Sequence, residues 1–411
     1  MQEFKLKNNI KVLFNKTDGA EVFSMQVFSK IGASEEALEK SGITSLLLSL
    51  IQKATLKRNK KQLSEDLDGI GAVFSAGVNY NLSCLDINGI SEVFSKATEL
   101  LSDIVSNPAF DGAELELERK NLIADLKMRR DLIKSFALDS FTKRFFDGTP
   151  YQNPANGSVK TLSEISLDDI ILWHRYCFNA GKMLISISGN LDYKEVFRIL
   201  ENNFGGIENF DADIKQPSLS FQQRKCFTKR IKSKFKQAFI LQAYPAPSVK
   251  SADSKVLELI GHILGANMTS RLFIELREKL ALGYETGTSY PAGLDESFFS
   301  VYIGLDAANI DLALKRIDEI LSDFMENGVL AQELSDVKKY VCGVYNLLMQ
   351  TCEKKSAAQG LSEILFEDPS YPSKYTEIVK SINAEDILKT ARLIFQQKPS
   401  IVIVEPTYKG N

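Results

Sequence analysis

Two histidines, His174 and His262, are the whole imidazole supply of this 411-residue chain. Chemistry that needs paired imidazoles must draw on these two, and they stand far apart in sequence. Glu258 and His262 are spaced i, i+4, which puts them on one face of a helix. Two such groups without a third do not complete a metal site, and a hydrogen-bonded helix histidine is the plainer reading. Ser45 and Ser49 share the same i, i+4 spacing in "SGITSLLLSLIQKATLKRN", with Leu48 between them. As nucleophiles they would need a neighbouring base, and neither histidine is near in sequence. Each hydroxyl is expected instead to bond back to the carbonyl one helical turn earlier. The five cysteines are odd in number, scattered and without a Cys-x-x-Cys pair, so they read as reduced thiols of a cytoplasmic protein.

The elements that would position these residues come from a repeat. "EISLDDIILWHRYCFNAGKMLISISGN", residues 164 to 190, aligns without a gap on "SINAEDILKTARLIFQQKPSIVIVEPT", residues 381 to 407, at an offset of 217. In both copies a polar N-cap opens an amphipathic helix and an apolar strand follows. At an offset near 213, the helix containing Ser45 falls on "SKVLELIGHIL", residues 254 to 264. The chain therefore reads as a duplication with an α+β fold: an N-terminal domain over 1–204, a linker over 205–225 and a C-terminal repeat domain over 226–411. Within the first half, strands are expected near 10–14, 21–30, 72–76, 80–88 and 183–189. Helices are expected near 41–54, 60–69, 92–106, 112–147 and 166–178. Strands arriving in pairs between helices predict a mixed or antiparallel sheet in each half, covered by helices on one face.

Composition limits the partners. Fifty basic against 53 acidic residues leave a net charge of −3, with no global attraction to nucleic acid or anionic membranes. The basic stretch "RKCFTKRIKSKFK", residues 224–236, reads as a charged strand opening the second half, since lysine on an edge discourages unwanted strand pairing. No apolar run reaches membrane-spanning length, and the first residues lack the apolar core of a signal peptide. A cytoplasmic location is expected, or a periplasmic one if a leader has been removed.

In order and spacing, "FSKIGASEEALEKSGITSLLLSLI", "ELERKNLIADLKMRRD", "GTPYQNPANGS", "SGNLD" and "SRLFIELREKLALGY" resemble the insulinase/pitrilysin family of zinc peptidases. The likeness is strongest to the smaller branch that includes the mitochondrial processing peptidase subunits, and it covers almost the whole chain. It implies two repeated α+β domains forming half of a clamshell around a peptide chamber. In active members His-x-x-Glu-His supplies two zinc ligands and the base, and a carboxylate on a later helix completes the site. The resemblance lays that motif on Ser45, Leu48 and Ser49, so both ligands and the base are replaced. The later acidic position falls on Asp125, with Glu118 seven residues earlier. Serine hydroxyls are not among the usual zinc donors, and Leu48 cannot accept a proton. No metal or other cofactor is expected in this chain.

Other positions keep the family pattern. In "LREKLALGY", Arg277 and Tyr284 match the family's arginine and tyrosine, which contact the substrate backbone; a guanidinium and a phenol can both donate to a carbonyl oxygen or oxyanion. The glycine before Tyr284 places the helix end near Leu282 and Tyr284 on the following strand. Ser75 and Ala76 stand where the family has an edge strand that pairs with extended substrate. The resemblance thus implies a peptidase-like, catalytically silent subunit. It would bind peptide substrate and pair with a zinc-bearing subunit of the same family. The other reading is a non-enzymatic peptide-binding or scaffold homodimer.

Overall fold

The protein is described by a computed structural model over residues 1–210, 226–295 and 297–407. Most of the expected linker, residues 211–225, and the first two residues of the basic stretch lie outside the described residues. In the first half the chain forms β1 (Gln2–Lys5), β2 (Lys11–Lys16), β3 (Val22–Ser29), α1 (Ile43–Ile51), α2 (Lys60–Gly69), β4 (Val73–Val78) and β5 (Ser83–Ile90). There follow α3 (Phe94–Ser106), α4 (Gly112–Arg130), α5 (Ile133–Phe145), α6 (Val159–Ser163), α7 (Leu167–Cys177), β6 (Met183–Gly189) and α8 (Tyr193–Phe204). The second half begins with β7 (Thr228–Ser233), β8 (Ala238–Ala246), α9 (Asp253–Gly265), a π-helical segment (Phe273–Lys279), β9 (Gly283–Ser289) and β10 (Ser297–Leu305). It ends with α10 (Ile310–Asn327), α11 (Ala331–Leu348), α12 (Cys352–Phe366), α13 (Tyr371–Ser381), α14 (Ala384–Phe395) and β11 (Ser400–Pro406).

The repeat read from the sequence is a repeat of topology. The first sheet runs β1-β2-β6-β3-β5-β4 and the second β7-β11-β8-β10-β9, so β1 is the one added strand. β6 is parallel to β2 and antiparallel to β3; β11 is likewise parallel to β7 and antiparallel to β8. Both sheets are mixed. The helices that lead into the two central parallel strands start on the same device. Ser166 caps α7 with Asp169 returning the bond, and Asn383 caps α14 with Asp386. β7 is the charged edge strand expected at the opening of the second half, with Arg230 and Lys232 both on Glu405.

One face of the first sheet is apolar. Val12, Phe14, Met25, Val27, Leu85, Ile87, Ile185 and Ile187 pack there against the buried leucines of α1 and α3 and against Trp173 of α7. The second sheet and α9, α10 and α14 build a separate core in the same manner. Burial of this kind, about 25 cal/mol per Å² of apolar surface, supplies the drive for both halves.

The expected single covered face is corrected. The first sheet's other face carries α12, from the second half of the chain, over β6, β3 and β2. The second sheet carries α5, from the first half, over β8 and β11. Contacts thus gather the chain into two compact units, the first including Leu348–Pro372 and the second Met128–Asp147. Small residues let α12 settle close: Ser356 Oγ lies 2.9 Å from Ser24 Oγ, and its carbonyl accepts from Ser186 Oγ at 2.8 Å. A Cβ added at Gly360 would overlap the Phe28 ring. On the second sheet, Phe141 of α5 stacks on Phe145 at 4.7 Å and meets Phe298 edge-on at 4.8 Å.

The helix expected over 112–147 is likewise divided. Leu132 adopts an extended conformation with ψ 115°, between α4 and α5. No glycine or proline interrupts the sequence there, so the break is imposed by packing, which draws α5 onto the second sheet.

Replacing Gly360 with Ala is expected to destabilise the first unit by about 1–3 kcal/mol through overpacking against Phe28. Gly343, in the interior of α11 with open space at its Cβ position, is the control: Gly343→Ala should be neutral or stabilising by about 0.5–1 kcal/mol. Denaturant midpoints of the two variants measure the difference.

Candidate functional site

α1 is where the family resemblance puts the chemistry, and its start is tightly specified. Gly42, with φ +95°, turns the chain into the helix, and a side chain there would run into the Asn156 carbonyl and Gly157. The Glu36 carboxylate meets the first turn: Gly42 N–H donates to Oε2 at 2.6 Å and Thr44 N–H to Oε1 at 3.0 Å. A negative group at a helix N-terminus suits both the free amides and the dipole. Glu36 is only 1% exposed. Burial pushes its carboxyl up to about 7 even though the two amide bonds pull it down. Trp173 Nε1–H donates to Thr44 Oγ1 at 2.9 Å, tying the same turn to α7.

Further along α1, every position of the metal motif is engaged in something else. Ser45, 8% exposed, donates to Asn156 Oδ1 at 3.4 Å. Ser49 bonds back to the Ser45 carbonyl at 3.1 Å. The back-bonding expected for both serines therefore holds for Ser49, whereas Ser45 turns to the loop that abuts the helix start. Leu48, 3% exposed, belongs to the hydrophobic core. Glu118 on α4 is buried and its Oε1 is 3.1 Å from Lys53 Nζ, so an ammonium holds the carboxylate beside the helix. Asp125, two turns further along α4, is exposed. A donor set of two neutral hydroxyls, one of them facing an amide oxygen, and a lysine-bound carboxylate does not fit zinc. Among the described residues no group of three His, Cys, Asp or Glu side chains is arranged to hold a metal ion.

His174, Glu258 and His262 are packed elsewhere in the two units. His174 is buried, with Nε2 at 2.8 Å from the Val105 carbonyl, and burial lowers its pKa. Glu258 accepts from Tyr375 Oη and from Lys255 Nζ, the latter at 2.7 Å. The ring of His262 lies edge-on to Tyr340, and its Nδ1 has no hydrogen-bond partner among the described residues. The hydrogen-bonded helix histidine expected here is thus not found at Nδ1. Burial lowers the His262 pKa against the pull of Glu258.

β4, which carries Ser75 and Ala76, is an edge strand. It pairs with β5 alone, Ser75 opposite Asp86 and Ala76 opposite Leu85. Ser75 Oγ donates to the Asp86 carboxylate, and the edge position of β4 leaves its outer row of backbone groups unpaired among the described residues.

Arg277 and Tyr284 belong to the second unit. Arg277 lies on the π-helical segment, its guanidinium 4.8 Å from the Phe273 ring centroid. It is exposed, and no carboxylate lies within ion-pair distance of it among the described residues. That segment ends at Lys279, earlier than expected, and Tyr284 is the second residue of β9. Gly304 pairs with Glu285 and Leu305 with Gly283, so Tyr284 is the extra residue of a β-bulge. Bulges re-aim side chains, and Tyr284 is 83% exposed. Neither the arginine–acid pair nor the packed tyrosine that such residues commonly form is present.

Two family models divide the chain between them. Residues 11–158 match "Insulinase (Peptidase family M16)" and residues 164–341 match "Peptidase M16 inactive domain". An uncharacterized zinc protease of Rickettsia felis is 25% identical over 402 residues, 98% of this chain and 97% of that protein. A protease from Helicobacter pylori has the same fold, with a TM-score of 0.92 at 19% identity over 98% of this chain and 99% of that one. A peptidase M16 inactive domain from Pseudomonas fluorescens superposes with a TM-score of 0.90 at 19% identity, covering 100% and 98%. The chain belongs to the insulinase family, peptidase family M16, as a peptidase-like member without the His-x-x-Glu-His motif. No helix among the described residues is long and apolar enough to cross a membrane.

Three residues around α1 escape a reading by motif. Asn156 and Lys53 act through distant partners that no local pattern announces. Glu36 had a signal: an acid six residues before a helix that opens on Gly rather than on a capping side chain. Its raised pKa has a definite sign. The folded state holds the Glu36 proton more tightly than the unfolded chain, so the contribution of this group to stability is full below pH about 4.5 and falls as pH rises toward 7. The loss is on the order of 3 kcal/mol, and Glu36→Gln should abolish this part of the pH slope in chemical unfolding experiments.

Proposed function

We propose that this chain is a catalytically silent subunit of a peptidase pair, contributing Arg277, Tyr284 and the β4 edge to a zinc-bearing subunit of the same family. One observation carries the reading: the helix that bears the metal ligands in active relatives is kept as a packed element, while Ser45, Leu48 and Ser49 are turned to hydrogen bonding and core packing. A fold kept intact without the metal motif points to a use for the remaining surface. Arg277 and Tyr284 support it, since both side chains are exposed and neither is in a hydrogen bond or ion pair among the described residues.

In this reading the partner holds zinc and activates water. This chain's guanidinium and phenol donate to the carbonyl oxygen of a bound peptide and to the oxyanion it becomes. The β4 edge takes extended peptide through main-chain bonds that ask little of side chains. The five free cysteines support a reducing compartment such as the cytoplasm.

The purified chain alone is expected to show no chelator-sensitive cleavage of peptides. Combined with a zinc-bearing M16 subunit from the same cells, it should raise turnover. Arg277→Ala or Tyr284→Phe in the pair should lower kcat/KM about tenfold or more, with unchanged melting temperatures because both side chains are exposed. Chelator-sensitive cleavage by the chain alone, or unchanged turnover in both variants, contradicts the proposal.

A further inference from the structure

A groove of about 570 Å³ opens on the second unit between the π-helical segment and the C-terminal part of α10. Ile274 and Ile320, both half-buried, and Leu330, 73% exposed, give it an apolar lining. Its wall is fixed in advance. Arg271 binds Glu333 through Nε at 3.0 Å and Nη2 at 2.8 Å, donates to the Gly328 carbonyl at 2.8 Å and lies 4.9 Å from the Phe324 ring centroid. A pre-ordered wall lowers the entropy cost of filling the groove.

The rim is densely charged, and the face of α10 beside it is acidic. Four carboxylates, those of Glu275, Glu319, Asp323 and Glu333, line the groove with two guanidinium groups. Both guanidinium groups are bound to them, Arg271 to Glu333 and Asp323, and Arg316 to Glu319. Lys279 binds Glu275 at 2.6 Å and Lys315 lies 3.7 Å from Glu319, so the rim itself is balanced. The negative excess comes from the next face of α10, where Asp318 and Glu326 join Glu319 and Asp323. An acidic face beside an apolar slot disfavours anions, and a small cation would leave the isoleucines and Leu330 unused.

We infer that this groove docks a basic segment of another protein chain: one or two leucine-sized side chains for the slot, flanked by lysine or arginine for the acidic face beside it. Large apolar anchors supply affinity, and the flanking charges supply orientation and on-rate. A second copy of this chain suits it less, because the strand densest in cations, β7, already has Arg230 and Lys232 on Glu405. The inference is independent of the pairing proposed above, as it uses neither Arg277 nor Tyr284.

Fluorescence anisotropy of the full chain tests it. The probe is a labelled peptide with leucines at i and i+4 flanked by lysines, compared with peptides carrying Glu for Lys or Ser for Leu. The lysine–leucine peptide should bind saturably. Both altered peptides, and the Leu330→Ser and Glu319→Gln/Asp323→Asn variants of the protein, should weaken binding about tenfold. Salt raised from about 50 to 300 mM should weaken it further. These substitutions lie on exposed positions, and thermal melting verifies that the variants fold. The inference is overturned by absence of saturable binding or by equal affinity for the groove variants. It is also overturned by concentration-dependent self-association that Leu330→Ser abolishes.

Discussion

The close approach of two glycines, Gly42 and Gly157, governs the first half of this molecule. Gly42 takes φ +95° and Gly157 φ +76°, and a side chain on either would strike the backbone of the other's loop. Where the two segments touch, α1 begins with its free amides on the Glu36 carboxylate, and Ser45 donates to Asn156. The leucines on the helix's inner face then lock against the sheet. The positions on which the resemblance lays the metal motif are engaged accordingly: Ser45 faces a loop amide, Leu48 enters the core and Ser49 closes on its own helix.

The same logic explains why the family fold persists in both halves. Each sheet buries one face under its own helices and part of the other under a helix borrowed from the opposite end of the chain. Removing either half would strip an apolar or close-packed helix face of its sheet, Phe141 from Phe298 or Gly360 from Phe28. The duplication is therefore mutually dependent. Chemistry can be lost from one half while the architecture continues to be maintained by the packing that both require.

Much of the fold was legible because it is local. Capping boxes at Ser166 and Asn383, apolar strands after each, and alternating strands bounded by turns can be read from residue order, and the matching strand orders bear out the repeat. The exchange of α5 and α12 was not legible, because amphipathic spacing tells that a face is buried but not which sheet buries it. The break at Leu132 falls in an uninterrupted helical pattern for that reason. At the candidate site, the lack of a His-x-x-Glu-His motif was plain from the sequence. The Lys53–Glu118 pair and the Asn156 contact are long-range and left no local trace. The Tyr284 bulge was partly announced by Gly283, the one residue type that fits against the Gly304 carbonyl.

The central claim is that α1 is a structural helix whose former metal positions hold no metal. Native mass spectrometry of the folded chain, equilibrated with buffered zinc and then desalted, addresses it directly. The account predicts a mass without stoichiometric zinc, unchanged by Ser45→Ala, Ser49→Ala or Asp125→Asn. One zinc retained per chain, and lost in any of these variants, would contradict it.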